Sequence, residues 1–189
     1  QRMQDIFDFY LFKNNMKVLD ILNVKYIVEL DNNNSLSLKV NENAKGNAWF
    51  VEKIQKTRSA NEELLSLDKI NLSNIALSKD LDNKTYFLNS TNSIKLNSRK
   101  ANELIYEVKS DSEQFVVFSE AFYKKGWKAI IEGKEHPHFK VNYLLRGMEV
   151  PEGEYSLKFS FDPPVIKTGS MISILSFVIL FLSLLLYFK

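Results

Sequence analysis

Residues 168 to 188, TGSMISILSFVILFLSLLLYF, contain no charged side chain, and a single Lys189 follows them. As an α-helix the stretch is roughly 31 Å long, close to the hydrocarbon thickness of one bilayer. It reads as one membrane span at the end of the chain. Nothing before it is similar. The preceding part, roughly 167 residues, is charged and mixed, and is long enough for one domain or two small ones. It divides into an N-terminal α+β portion over residues 1–91 and an antiparallel β-sandwich over residues 92–164.

Composition removes several function classes. The chain has 25 Lys+Arg against 23 Asp+Glu, a net charge of +2. That balance gives no electrostatic case for nucleic acid, which calls for a clustered basic face. With no cysteine there is neither a disulfide nor a thiolate metal site. The 14 Phe and 8 Tyr suit a β-rich core. The chain opens on Gln1, and no basic stretch with an apolar run follows it, so no signal peptide is expected there. Two origins fit: a piece of a longer membrane protein, or a tail-anchored cytosolic protein.

In the N-terminal portion, the pairs Ile6/Tyr10 and Phe7/Leu11 have helical spacing, and Val18, Leu19, Ile21 and Leu22 form one broad apolar face. Asn23 marks a helix end. Residues 24–28 predict a buried strand, residues 31–47 an Asn-rich hairpin or loop around a short strand at 36–40, and residues 48–51 another strand. Ser59 with Glu62 three residues later predicts a capped helix start. Residues 66–91 read as connections with one or two edge strands.

From residue 92 the period changes. Seven short strands are predicted, over 93–97, 103–109, 114–120, 127–132, 138–143, 146–150 and 154–161. In the last, Tyr155, Leu157, Phe159 and Phe161 point one way, while Ser156, Lys158 and Ser160 point the other. Turn signals at Glu132-Gly133-Lys134 and Pro151-Glu152-Gly153 separate the runs. The fold class is therefore α+β to mainly β: an antiparallel sandwich, a small N-terminal α+β portion and one C-terminal transmembrane helix. Asp162-Pro163-Pro164 stops the last strand a few residues before the span.

Several separated motifs, in order, carry a family resemblance. They are the run from Ser119 to Ala129 (SEAFYKKGWKA), Glu132-Gly133-Lys134, Val141 to Met148 (VNYLLRGM), Val150-Pro151-Glu152-Gly153 and Phe159 to Pro164 (FSFDPP). Upstream, Asn15 to Tyr26 and Asn47 to Val51 belong to the same set. Together they resemble the C-terminal region of the YfhO-type bacterial membrane proteins. The resemblance implies a large polytopic parent related to GT-C glycosyltransferases, which moves sugars from polyprenyl-phosphate donors onto envelope polymers. It implies that the soluble region lies outside the cytoplasm at the plasma membrane, with the bilayer, the upstream transmembrane bundle, and a polyprenyl-phosphate sugar or envelope glycan as partners. The GT-C carboxylate lies on an early loop, so no catalytic residue is expected within this chain and no cofactor is implied. A non-enzymatic, membrane-tethered envelope module that binds a polysaccharide or protein is the rival reading.

Glu120, Trp127, Asn142 and Arg146 sit in the densest motifs and are the candidate binding residues. One reading makes them a sugar-facing patch, an aromatic platform with amide, carboxylate and guanidinium groups around it. The other makes Trp127 core, Asn142 a turn former and Arg146 the cross-strand partner of Glu120. His136 and His138 would share a face of a strand, as paired metal ligands can, or sit in an exposed turn; spacing supplies no third ligand. Asp5 and Asp8 read as a solvated helix face, and Glu62-Glu63 as a helix N-terminus. Within the span, Ser173 and Ser176 either meet a neighbouring helix or bond their own backbone.

Overall fold

The computed structural model describes residues 1–30 and 34–188. Three short helices precede the main sheets: α1 (Arg2–Phe9), α2 (Met16–Ile21) and α3 (Ala60–Leu65), with a 3-10 turn at Leu11–Lys13. α2 ends as the sequence predicts. Asn23 is left-handed (φ 58°), Val24 N–H donates to Leu19 O, and Asn23 N–H donates to Asp20 O, a Schellman closure with asparagine in place of glycine. At α3, Glu62 N–H donates to the Ser59 hydroxyl, and the Glu62 carboxylate reaches back to Arg58 N–H at 2.6 Å. This is the reciprocal cap that the Ser-x-x-Glu spacing calls for, displaced by one residue at its second bond.

β1 (Tyr26–Leu30) and β2 (Leu36–Val40) form a two-stranded antiparallel ribbon. β1 starts two residues later than the predicted strand over 24–28, and it is not buried. Tyr26 pairs with Val40, Val28 with Leu38 and Leu30 with Leu36, so all six apolar side chains share one face. Each is between 59% and 77% exposed. Periodicity sets which face is apolar; it does not supply something to cover it. The part of the expected hairpin at residues 31–33 lies outside the described residues.

β3 (Ala48–Val51), β4 (Lys53–Lys56), β5 (Ile75–Ser78) and β6 (Lys84–Thr85) follow. β4 pairs parallel with β5 and antiparallel with β6. Then come β7 (Ser93–Lys100), β8 (Glu103–Ser110), β9 (Gln114–Ala121), β10 (Trp127–Ile131), β11 (Lys134–His136), β12 (Phe139–Val141), β13 (Leu145–Val150) and β14 (Gly153–Phe161). They build two sheets, β11-β10-β14-β8-β7 and β12-β13-β9-β3, packed face to face as the predicted sandwich. β3, from the N-terminal portion, is the edge strand beside β9.

β9 explains the layering. Phe115, Val116, Val117 and Phe118 are all fully buried. A run without polar alternation belongs to a strand covered on both faces. Val116 and Phe118 pack against the five-stranded sheet with Tyr106, Met148 and Phe159. Phe115 and Val117 pack the other way, with Val18, Ile21, Val51 and Leu77 of the N-terminal portion. The four-stranded sheet is thus the middle of three layers.

α4 (Pro164–Tyr187) begins four residues before the charge-free stretch, with Pro164 in its first turn, where a missing N–H is harmless. None of its residues is buried. It is about 36 Å long and apolar enough to cross a bilayer. Ser176 and Ser183 bond their own backbone, to Ile172 O and Leu180 O.

Candidate functional site

β13 carries Arg146 into the sandwich interior, where the side chain is 1% exposed. Its register opposite Phe118 turns it toward the five-stranded sheet. The guanidinium carbon lies 4.3 Å from the Phe159 ring centroid and 4.9 Å from that of Trp127. Nε and Nη1 have no hydrogen-bond partner among the described residues. Two aromatic faces thus take the place of a carboxylate. Burial lowers its pKa to about 10, against the opposing pull of Glu120.

Glu120 lies nearby but is not the ion-pair partner of Arg146. Its carboxylate bonds Arg99 of β7. The predicted Arg146–Glu120 pair is corrected on this point: the outer arginine, freer in water, takes the carboxylate, and the inner one stacks. Trp127 is half-buried. With Arg99, Lys100, Leu104 and Glu120 it lines a surface depression of about 370 Å³. Glu120, Trp127 and Arg146 therefore come together, with Arg146 as the floor under the Trp127 ring.

Asn142 lies apart. It is left-handed (φ 48°) in the turn between β12 and β13, and so is Tyr143 (φ 68°). The Asn142 side chain accepts from Leu77 N–H at 2.8 Å, and its own N–H donates to Leu77 O at 2.8 Å. It forms a turn, as one reading predicts, and it also ties the middle sheet to β5. Tyr143 is clamped on several sides: Arg2 stacks on its ring at 4.4 Å and donates to its carbonyl, its hydroxyl donates to Asp5, and its N–H donates to Glu63 at 2.8 Å. Asp5 is therefore not simply a solvated helix face. Glu63 is 0% exposed, its Oε2 has no partner among the described residues, and desolvation raises its pKa to about 7 against the lowering effect of Tyr143 N–H. The only sequence signal for this role is its place beside Leu64 on the inner side of α3.

The two histidines do not share a strand face. His136 ends β11, Pro137 breaks the run, and His138 precedes β12. His138 is half-buried rather than in an exposed turn: Nε2 bonds Trp127 O at 2.9 Å, and the ring packs against Phe122 and Phe159. A carbonyl partner makes Nε2 the donor, and Nδ1 has no hydrogen-bond partner among the described residues. Burial lowers its pKa. Among the described residues no three His, Cys, Asp or Glu side chains are placed to hold a metal ion.

A second cleft, of about 590 Å³, opens beside the depression and shares Trp127 with it. It is lined by Tyr123, Lys124, Lys125 and Lys128 together with Pro164 and Val165, the first residues of α4. Asp162 N–H donates to Gly126 O at 2.9 Å, closing the loop against the strand end. Gly126 permits this approach: a Cβ there would stand 2.1 Å from the Phe161 ring.

No solved structure matches the chain. A protein of Bacillus subtilis (strain 168), described as uncharacterized protein YfhO, is 28% identical over 85 residues, which is 45% of this chain and 10% of that protein. The chain thus matches about a tenth of the length of that relative. Residues 7–173 match the family described as bacterial membrane protein YfhO, from the first helix into α4. The chain belongs to the YfhO family of bacterial membrane proteins.

Proposed function

We propose that this chain is the extracytoplasmic C-terminal accessory region, with the closing span, of a polyprenyl-phosphate-dependent glycosyltransferase-like protein of the bacterial plasma membrane. Its role in envelope glycosylation is to brace the catalytic membrane bundle and to hold acceptor glycan near it. The observation that carries this reading is the bare apolar face of β1 and β2, with Tyr26, Val28, Leu30, Leu36, Leu38 and Val40 all turned to one side and exposed. A contiguous apolar patch of this kind marks a surface made for another body. In this reading that body is the upstream bundle. The depression at Glu120 and Trp127 is the acceptor-facing patch. The indole ring stacks on a sugar face, Glu120 and Arg99 meet hydroxyls, and buried Arg146 holds the indole in place. Catalysis belongs to the bundle.

The test uses the full-length parent protein. Val28→Asp with Leu38→Asp is expected to lower glycan transfer to the envelope polymer while the protein stays in the membrane. A topology reporter inserted at the Glu132-Gly133 turn is expected to read as external. Unchanged transfer together with a cytoplasmic reporter signal would remove the proposal.

A further inference from the structure

We propose that the cleft between the turn and strand start at Lys124–Lys128 and the start of α4 is a binding site for the phosphate headgroup of an anionic membrane phospholipid. The inference depends on α4 lying in a bilayer and is independent of the reaction the parent protein performs.

Position comes first. Pro164 and Val165 form one wall of the cleft, and the span continues directly from them. The cleft therefore sits where the hydrocarbon core gives way to headgroups. Tyr123 and Trp127 also line it, each packed against Phe161 at ring distances of 6.2 and 5.2 Å. Tyrosine and tryptophan favour that level of a membrane, because each has an apolar body and a polar tip.

Charge comes second. Lys128 pairs with Glu135 at 3.3 Å, and Lys167 pairs with Asp162 at 2.6 Å, so the two acids at the cleft are already matched. Lys124 and Lys125 have no ion pair or hydrogen bond among the described residues, and both are exposed. The cleft therefore has two surplus cations, held beside the span by the Asp162–Gly126 backbone bond and the Gly126–Phe161 contact. A diffuse basic surface would lack that fixed placement. A single phosphate with apolar chains attached fits a lining that combines lysines, aromatic rings and the apolar Val165 at the start of the span.

The experiment uses the full chain in nanodiscs of neutral phosphatidylcholine containing some phosphatidylglycerol, with lipid adducts identified by native mass spectrometry. The chain is expected to retain phosphatidylglycerol in preference to phosphatidylcholine. Lys124→Gln with Lys125→Gln should lower that preference by about fivefold for each lysine removed. Both side chains are exposed, so the melting temperature should not move. Lys53→Gln with Lys69→Gln, an equal charge change away from the cleft, should leave the preference intact. Equal retention of the two lipids by the unsubstituted chain overturns the proposal, and so does an equal fall in both double variants. A third arm adds glycerol phosphate to discs of phosphatidylcholine alone. Retention of the free phosphate at the same level would show that the site takes a soluble anion, and the lipid assignment fails.

Discussion

Glu63 ties the stability of the soluble region to pH, and the size of the effect follows from its surroundings. Its carboxylate is fully buried. Oε1 accepts Tyr143 N–H, and Oε2 has no partner among the described residues. Desolvation outweighs that hydrogen bond and the cations facing the group, Arg2 and Lys140, while Asp80 adds to the rise. The native carboxyl therefore keeps its proton to about pH 7, against an ordinary 4.5. The unfolded chain releases the proton near 4.5. Between the two values the native state binds more protons than the unfolded one, so stability falls as pH rises through that window and levels off above it. At about 1.4 kcal/mol per pH unit, the interval amounts to roughly 3 kcal/mol.

Glu63→Gln removes this dependence at nearly constant shape. The amide oxygen still accepts from Tyr143, and an uncharged group replaces the carboxylate oxygen that lacks a partner. Thermal unfolding of the chain in detergent, followed by tryptophan emission, checks the expectation at about pH 5 and about pH 8. The wild type should lose roughly 2 to 3 kcal/mol relative to the variant between the two, a shift of about 5–10 °C for a chain of this size. Parallel behaviour of the two proteins across the window overturns this assignment. It would mean that the carboxylate keeps its charge in the fold.

Arg146→Ala should destabilise the sandwich by about 3 kcal/mol, through loss of a buried side chain between Trp127 and Phe159. Arg146→Met, similar in length and uncharged, should be close to neutral in the same melts. A melting temperature unmoved by Arg146→Ala, with weakened glycan binding, would instead make Arg146 a ligand contact. Asn142→Ala leaves the buried Leu77 N–H without its acceptor and places alanine at φ 48°. Urea unfolding should show a loss of roughly 2 to 4 kcal/mol. Gly147→Ala puts a Cβ 2.7 Å from the Phe115 ring, for an expected loss of about 1–3 kcal/mol. Phe115→Leu should relieve part of that clash, read as a coupling energy in a double-mutant cycle.

The strands of the C-terminal half are legible because their signals are local. Alternation along 154–161 and the turns at Gly133 and Gly153 lie within a few residues of the backbone they shape. The same holds for the Ser59 cap and the Asn23 helix end. What the sequence withholds is pairing over distance. Ser119 of β9 donates to Ile21 O and Gly46 O, and Asn142 reaches Leu77, across 65 to 98 positions. Arg146 belongs with these. A charge set within the otherwise uncharged stretch from Tyr143 to Met148 invites a search for a carboxylate partner, and Glu120 is the natural choice. Two aromatic rings can hold a guanidinium as well, and the nearest free carboxylate can be taken by another arginine.

β9 and the β1–β2 ribbon set the limit more sharply, because similar sequence signals end in opposite environments. Both offer apolar side chains in strand geometry. In β9 each face finds a core, one from the five-stranded sheet and one from the N-terminal portion. In the ribbon one whole face finds nothing within the described residues. Alternation says which side chains share a face, and the hydrophobic effect says that such a face gains by being covered. Neither specifies the cover, which is a property of whatever stands opposite. Under the proposed assembly the difference has one cause: the partner of β9 is in this chain, and the partner of the ribbon is the membrane bundle. A charge at Val28 or Leu38 should then cost the isolated chain almost nothing in stability and the assembled protein a great deal in activity. The corresponding charge at Val116 or Val117 should unfold both.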